Sequence, residues 1–473
     1  MRNTLMLVLI LVLNFNLLSK EEETEKSKIN SSLVSGLKFR AIGPAIASGR
    51  VIDLAVNPNN FDEFYVAVAS GGVFKTTNKG TTFQPIFDNY GSYSIGCVTI
   101  DPNNSHVVWV GSGENNSQRS VSYGDGVYKS IDGGKSFKNV GLKKSEHIGK
   151  IIVDPRNSDV VYVAAQGPLW NSGGDRGLYK TTDGGATWEL SLEISENTGV
   201  SDIVMDPRDP DVLYASSYQR RRHVWTLING GPEGAVYKST NGGKSWDKLT
   251  KGLPSGYVGR IGLAISPADP DYVYAILEAE GKKGGFFRST DRGASWSKMK
   301  TLVSSSPQYY QELFPHPKDK NTVYSVSTYS NYTTDGGKNW TNIPIKEKHV
   351  DDHVIWINPN NPEHMMIGCD GGLYETFDHC KTWRFFENLP ITQFYRVSVD
   401  NAEPFYNVYG GTQDNNTIGG PTRTQSAHGL TNQDFYFTVG GDGFETVIDP
   451  KDPNIVYSQP QYGWLVRYDK KSG

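Results

Sequence analysis

The sequence predicts an all-β protein, a β-propeller built from four-stranded blades. Two kinds of short repeat and a turn-rich composition carry this prediction. The 473 residues include 51 Gly, 24 Pro, 26 Tyr and 10 Trp, which is typical of short strands joined by many tight turns. Long amphipathic helices are hard to find in the sequence.

The first repeat is an eight-residue phrase that ends in an aromatic residue. Its seven copies are TTNKGTTF ending at Phe83, SIDGGKSF at Phe137, TTDGGATW at Trp188, STNGGKSW at Trp246, STDRGASW at Trp296, TTDGGKNW at Trp340 and TFDHCKTW at Trp383. An Asp or Asn that accepts backbone N–H groups, a Gly that tolerates positive φ and an anchoring aromatic suit a tight hairpin. Seven copies cannot all be one catalytic centre, so we interpret these box turns as structural.

The second repeat is a proline turn between the boxes, as in VDPRNSDVVYV. In seven of its eight clear copies an aromatic residue lies seven positions after the proline: Pro58/Tyr65, Pro102/Trp109, Pro155/Tyr162, Pro207/Tyr214, Pro267/Tyr274, Pro317/Tyr324 and Pro450/Tyr457. From Pro58 to Pro359, successive prolines lie 42 to 60 residues apart. This period suits one four-stranded blade per repeat.

The order of strands also predicts which loops share a face. If the proline turn joins the first and second strands, the boxes lie on the same face as that turn, and the second-to-third connections lie on the opposite, top face. The longest insertions fall in these top connections, at 113–120, 167–176 and 218–225. Loops held on a rigid frame are where binding is expected.

Four segments follow from these patterns. Residues 1–19 contain Arg2 and an apolar run, and predict a signal peptide or an uncleaved anchor. Residues 20–36 are a charged, solvated linker, 37–390 a seven-bladed ring, and 391–473 the first blades of a second, incomplete propeller. The alternative is one larger ring. We expect a secreted, periplasmic or cell-surface protein with no membrane span beyond the N-terminal anchor.

The net charge bears on the class of binding partner, and the cysteine content bears on disulfide bonds. A net charge of −4 and a pI near 6.2 give no basic stripe, so no nucleic-acid partner is expected. Three cysteines are too few for a disulfide scaffold. Cys369 and Cys380 could pair, but we favour free thiols. No cofactor is predicted.

The box turns resemble the Asp-box, or BNR, repeats of sialidases, sortilin-type receptor propellers and two-propeller xyloglucanases. From about Leu37 to Gly473 the chain looks most like bacterial sortilin-N-terminal-like proteins often labelled glycosyl hydrolases. The arginine triad of sialidases is not recognisable. Similar xyloglucanases place one Asp in each propeller, the first within Asp-x-Gly-Gly. Here Ala69 replaces it in Ala69-Ser-Gly-Gly72, and Asp370 is displaced by one position in Cys369-Asp-Gly-Gly372.

Glycoside cleavage requires two carboxyl groups across the scissile bond. The candidates on the predicted top face are Asp370, Asp414, Asp442 and Glu445. The alternative is that some of them only cap turns.

Ligand-binding candidates lie in the same connections. They are Glu114, Asn115, Asn116 and Arg119 in one loop, Trp170 for stacking on sugars, Arg221 within an Arg-Arg-Arg-His run that suits anionic groups, His349, Asp351 and His353 before a strand, and Gln413. His349, Asp351 and His353 have donor types that suit a metal, but their spacing is not specific. We therefore favour ordered polar packing and predict no metal site.

These observations predict an exported propeller that binds a polymeric ligand, a glycan or a protein or peptide, on the face opposite the boxes. Because Ala69 replaces the early Asp, we expect binding with little hydrolysis. The alternative is a glycoside hydrolase acting through paired carboxylates. A third class is an assembly or scaffold factor, which differs in needing a protein partner.

Overall fold

The computed structural model describes residues 31–43, 46–117 and 121–473. The segment predicted as a signal or anchor, most of the linker and Arg119 lie outside these described residues. Met1–Ile42 and Gly43–Gly473 form separate units. In the first unit a short 3-10 helix, Ser31–Val34, precedes irregular chain. The described residues contain no helix long and apolar enough to cross a membrane.

The second unit is built from antiparallel sheets, which confirms the predicted all-β propeller fold. Blades 1 to 3 each have four strands in sequential order. Their strands are β1 (Val51–Val56), β2 (Phe64–Val68), β3 (Gly72–Thr76) and β4 (Gln84–Pro85); β5 (Ile95–Asp101), β6 (Asn104–Ser112), β7 (Val127–Ser130) and β8 (Lys138–Gly141); β9 (Ile148–Asp154), β10 (Asn157–Ala165), β11 (Gly177–Thr181) and β12 (Glu189–Leu192).

Blades 4 to 7 continue the same order, and blade 4 adds a short fifth strand, β15, that pairs with an extended β14. Their strands are β13 (Thr198–Asp206), β14 (Asp209–His223), β15 (Thr226–Asn229), β16 (Ala235–Ser239) and β17 (Asp247–Leu249); β18 (Val258–Ile265), β19 (Val273–Ala279), β20 (Gly285–Ser289) and β21 (Ser297–Lys300); β22 (Leu313–Pro315), β23 (Val323–Ser325), β24 (Asn331–Thr333) and β25 (Thr341–Asn342); β26 (Asp352–Ile357), β27 (Met365–Cys369), β28 (Gly372–Thr376) and β29 (Arg384–Phe385).

Two further sheets follow, here called the C-terminal sheets. One has four strands and the other three. Their strands are β30 (Phe394–Val399), β31 (Asn407–Thr412), β32 (Thr417–Pro421) and β33 (Tyr436–Val439); β34 (Gly443–Ile448), β35 (Ile455–Pro460) and β36 (Val466–Asp469). Short 3-10 helices span Asn432–Asp434 and Gln461–Gly463.

The first strands of blades 1 to 7 lie side by side around a centre. β1 contacts β5 on one side and β26 of blade 7 on the other. One buried apolar cluster joins blade 1 to blade 7 and includes Val51, Val354 and Leu389. Ser48 donates to the Leu389 carbonyl at 3.2 Å, and Thr392 donates to the Ala47 carbonyl at 2.8 Å. Blade 7 therefore packs directly on blade 1.

Each box turn is held by the same hydrogen bonds. In the third box, the Thr187 N–H donates to Asp183 Oδ1 at 2.9 Å, and the Gly185 N–H donates to Thr181 Oγ1 at 3.0 Å. The corresponding bonds recur around Asp132 and Asp291. These carboxylates cap backbone N–H groups, which is turn chemistry.

In blades 1, 3 and 4 the tyrosine of the proline repeat fastens the blade to the box turn of the next blade. The Tyr162 hydroxyl and the Lys180 ammonium of blade 3 both donate to the Gly242 carbonyl of blade 4, at 2.9 and 2.7 Å. Lys180 lies over the Tyr162 ring, 5.3 Å from its centroid. Tyr65 and Tyr214 make the same contact with the box turns of blades 2 and 5. We call this arrangement the box latch.

All three cysteines are free and buried, as predicted. Burial raises the pKa of the Cys369 thiol well above its usual value. It therefore behaves as a small apolar side chain in the core of blade 7.

Candidate functional site

A polar cleft of about 520 Å³ opens at the ends of the strands opposite the box turns. One wall belongs to the blades and the other to the C-terminal sheets. From the blades come Arg50, Glu114, Tyr309, Tyr310, Asp351 and Asp370, and from the C-terminal sheets come Tyr395, Gln413, Asp414, Asp442, Phe444 and Gln461. Second-to-third connections and the entries to first strands supply most of these residues. We call this the top cleft.

Arg50 forms the floor of the top cleft, one residue before β1. Its Nε donates to Asp370 Oδ1 at 2.7 Å and its Nη1 to Glu114 Oε1 at 2.6 Å. Its guanidinium also lies 4.8 Å from the centroid of the Tyr309 ring. A buried guanidinium that bridges two carboxylates fixes both of them.

Asp370 lies at the turn between β27 and β28 and is buried. Besides Arg50, it accepts hydrogen bonds from His353 Nε2 and the Tyr309 hydroxyl, each at 2.8 Å. Burial opposes its ionisation, but the charge of Arg50 and the bond from His353 hold the pKa of Asp370 well below its usual range. Asp370 is therefore an ionised carboxylate over the whole physiological range.

Asp414 differs from Asp370 in its protonation, because its surroundings disfavour the charged form. It lies between β31 and β32 at positive φ, and its N–H donates to Asp442 Oδ1 at 2.6 Å. Its carboxyl group lies close enough to Asp370 for the negative charge of Asp370 to act on it. Burial, together with the negative charges of Asp370 and Asp442, raises the pKa of Asp414 to about 8. At neutral pH Asp414 is protonated and can donate a proton.

The remaining blade-side carboxylate is Asp351. It accepts a hydrogen bond from the Tyr310 hydroxyl, and its carbonyl accepts the Asp370 N–H at 3.1 Å. Tyr310 stacks on His353 with ring centroids 5.4 Å apart. Glu114 and Asp370 are ion-paired to Arg50, whereas Asp351 accepts its hydrogen bond from the Tyr310 phenol.

Two aromatic rings cover the C-terminal side of the cleft. Tyr395 and Phe444 stack with centroids 4.9 Å apart and planes 5° from parallel. Tyr395 is 40% and Phe444 37% exposed. Exposed rings beside hydrogen-bonding groups suit a ligand with apolar faces and hydroxyl edges.

The structure brings together most of the residues that the sequence indicated. Glu114, Asp351, Asp370, Gln413, Asp414 and Asp442 line the cleft, His353 holds Asp370, and His349 Nε2 lies 3.3 Å from the Asp414 carbonyl.

The other candidates lie outside the top cleft. Glu445 is 2.8 Å from Arg396 in a neighbouring shallow pocket. Asn115 donates to the Gly96 carbonyl inside the ring, and Asn116 accepts from Arg260. Trp170 is about half exposed, and Arg221 donates to Asn197.

The sequence did not indicate Arg50, Tyr309 or Tyr310. Arg50 stands in GRVIDL before the first strand, and the tyrosines stand in PQYYQE before β22. The one sequence signal that could have indicated Arg50 is its position immediately before the first strand of a blade, on the predicted top face. Within the described ranges no group of three His, Cys, Asp or Glu side chains is arranged to hold a metal ion.

The fold and the cleft define a β-propeller protein with an acid-lined site on one face. Comparisons with known proteins confirm the resemblance that the repeats indicated. The family model "Sortilin, neurotensin receptor 3" matches residues 125–252. A xyloglucanase from a Paenibacillus species is 22% identical over 396 residues, covering 76% of this chain and 33% of the relative. A xyloglucanase from Hypocrea jecorina is 26% identical over 249 residues, covering 47% and 27%.

Solved structures show the same fold. The xyloglucanase from Xanthomonas campestris superposes with a TM-score of 0.60 at 14% identity, covering 91% of this chain and 73% of that one. PorZ, a surface component of the type-IX secretion system of Porphyromonas gingivalis, gives 0.53 at 12% identity, covering 90% and 52%. The chain spans a third or less of the length of the two xyloglucanases matched by sequence.

Proposed function

We propose that the top cleft binds a β-glucan of the xyloglucan type and hydrolyses a glycosidic bond in it. The observation that carries the proposal is Asp414, a carboxylic acid that stays protonated at neutral pH beside an ionised carboxylate in an open polar cleft. Similarity to xyloglucanases supports the substrate class.

In this proposal Asp414 is the general acid. Asp370 keeps it protonated, because two adjacent carboxylates cannot both ionise without a large electrostatic cost. Asp370 itself cannot be the second catalytic carboxylate. It lies beside Asp414 and is tied to Arg50, whereas the two groups that flank a glycosidic bond lie roughly 5–10 Å apart.

Asp351 is the best blade-side base. Glu114 and Asp370 are held by ion pairs to Arg50 and are therefore not free to position a water. Asp351 accepts from Tyr310 and lines the opposite, blade-side wall from Asp414. A water held by Asp351 would attack the sugar while Asp414 protonates the leaving oxygen.

The stacked rings of Tyr395 and Phe444 complete the proposed site. They would pack on sugar faces along the C-terminal wall, and Gln413 and Gln461 would bond to hydroxyl groups. The proposed location outside the cell is compatible with a polysaccharide substrate.

The experiment is release of reducing ends from xyloglucan, with mixed-linkage β-glucan, cellulose and arabinoxylan as comparison substrates. Asp414→Asn and Asp351→Asn should each lower kcat by about 10²-fold or more. Glu189→Gln, an exposed carboxylate on β12, is the matched control and should leave turnover unchanged. Activity equal to wild type in Asp414→Asn overturns the assignment of the acid.

The second candidate is a binding module without catalysis. Ala69, fully buried at the end of β2, stands where similar xyloglucanases have an Asp. Xyloglucan binding by wild type with no release of reducing ends from any substrate would favour this function. A glycan and peptide array would then separate a glycan ligand from a protein partner.

A further inference from the structure

Arg220 lies in the last part of β14, where the strand pairs with β15, and its side chain is buried inside the ring. It is 1% exposed. The sequence placed Arg220 in a top-face run of charges that suits anionic groups, and the structure buries this member of the run. β14 continues to His223 and pairs with β15, so strand alternation turns Arg220 inward.

None of the three guanidinium nitrogens of Arg220 has a hydrogen-bond partner within residues 31–43, 46–117 and 121–473. Arg176, another buried arginine nearby, gives the contrast. It donates to the Gln166 and Pro168 carbonyls at 2.8 and 2.6 Å. Buried arginines in this ring are thus normally satisfied, and Arg220 is the exception in the described part of the chain.

Two more buried donors on the same side of the ring lack partners in the described residues. They are Asn116 Nδ2 and Ser117 Oγ. Asn116 contacts Arg260, which is an electrostatic neighbour of Arg220. Ser117 and Arg260 both bond to the Gln308 carbonyl. Asn116 and Ser117 thus lie next to Arg260, whose charge acts on Arg220.

The charges around Arg220 are mainly positive. Burial, with the charges of Arg176 and Arg260, lowers the pKa of Arg220 to about 9, although Tyr218 acts in the opposite direction. Burial and the charge of Arg220 also hold the pKa of His147 well below its usual value. Glu114 acts on Arg220 but is bonded to Arg50 at 2.6 Å. A buried, unpaired guanidinium is costly unless an anion neutralises it.

We propose that the Arg220 guanidinium is the core of a binding site for one small monovalent anion inside the ring, a halide or a formate-sized carboxylate. The guanidinium supplies several N–H donors in a planar fork that suits such an anion. Arg220 does not line the top cleft, and its burial excludes a sugar or a peptide. The anion is thus a structural ligand, separate from the polysaccharide.

The direct test uses the wild-type chain. Crystals soaked in sodium bromide should show an anomalous bromide peak within hydrogen-bond distance of the Arg220 guanidinium. Bromide peaks confined to the protein surface would overturn the proposal.

The solution test compares melting temperatures at constant ionic strength in sodium chloride, sodium formate and sodium gluconate. Gluconate is too large for the site. Chloride or formate should raise the melting temperature of wild type by on the order of 2 °C relative to gluconate. Equal melting temperatures in all three salts would contradict the proposed site. A rise in only chloride or only formate would show which of the two anions the site binds.

Arg220→Met removes the charge and keeps an apolar stem of similar length. We expect it to be at least as stable as wild type in gluconate and to lose the response to chloride and formate. Arg156→Met, a half-exposed arginine paired with Asp154 and Asp211, is the control and should keep the response. A response retained by Arg220→Met overturns the proposal, whatever Arg156→Met does.

Discussion

Corresponding valines in the blades and in the C-terminal sheets have very different surroundings. Val98 on β5 is 3% exposed, whereas Val397, at the matching position on β30, is 61% exposed. Val399 on β30 and Val447 on β34 are also more than half exposed. In the ring every first strand has a neighbouring blade on both sides. The C-terminal sheets pack on each other and leave an apolar inner face open to solvent.

The way neighbouring sheets are joined differs as well. Blades 1, 3 and 4 are fastened to the next blade by box latches, in which a tyrosine and a lysine share the carbonyl of the next box. The C-terminal sheets are joined by Lys470, which donates to Asp400 and to the Tyr409 hydroxyl at 3.2 and 3.0 Å. We therefore propose that the seven blades form a self-sufficient ring and that the C-terminal sheets are a separate part of the fold. The top cleft needs both.

The largest expected effect comes from removing the C-terminal sheets. A chain ending after Thr392 keeps Leu389 and the Thr392 bond to Ala47, but loses Gln413, Asp414 and Asp442. We expect calorimetry to show one cooperative transition and isothermal titration to show no xyloglucan binding. An aggregated or unfolded product would favour the single larger ring.

A matched pair of substitutions tests the exposed inner face. Val98→Thr places a hydroxyl in the buried centre of the ring and should lower the free energy of unfolding by about 1–3 kcal/mol. Val397→Thr should change the free energy of unfolding by less than about 0.5 kcal/mol, because this position is already exposed to solvent. Urea unfolding gives both values. Equal losses would show that β30 is covered in solution.

The box latch should have a smaller effect. In Tyr162→Phe the Gly242 carbonyl keeps its bond from Lys180, so the loss should be about 1 kcal/mol. Tyr457→Phe, the equivalent position on β35, should cost less than about 0.5 kcal/mol. A loss at Tyr457 as large as that at Tyr162 would contradict a latch confined to the ring.

The repeats made the fold predictable, because each box and each proline turn is a local signal that recurs in register. The acidic candidates Asp370, Asp414 and Asp442 were predictable as residues of top connections. Arg50 and Tyr309 were not, since each occurs once and reaches the cleft only when blade 7 packs on blade 1. The burial of Arg220 was not predictable, because the pairing of β14 with β15 depends on tertiary contacts that composition does not reveal.

The most direct test of the central claim is the pH dependence of kcat on xyloglucan. A general acid whose pKa is raised to about 8 is active below that pH and inactive once it ionises. The rate should therefore hold through neutral pH and fall tenfold per pH unit above about 8, with the residual rate of Asp414→Asn lacking this fall. A rate that rises or stays level through pH 9, or no release of reducing ends at any pH, would contradict Asp414 as the acid.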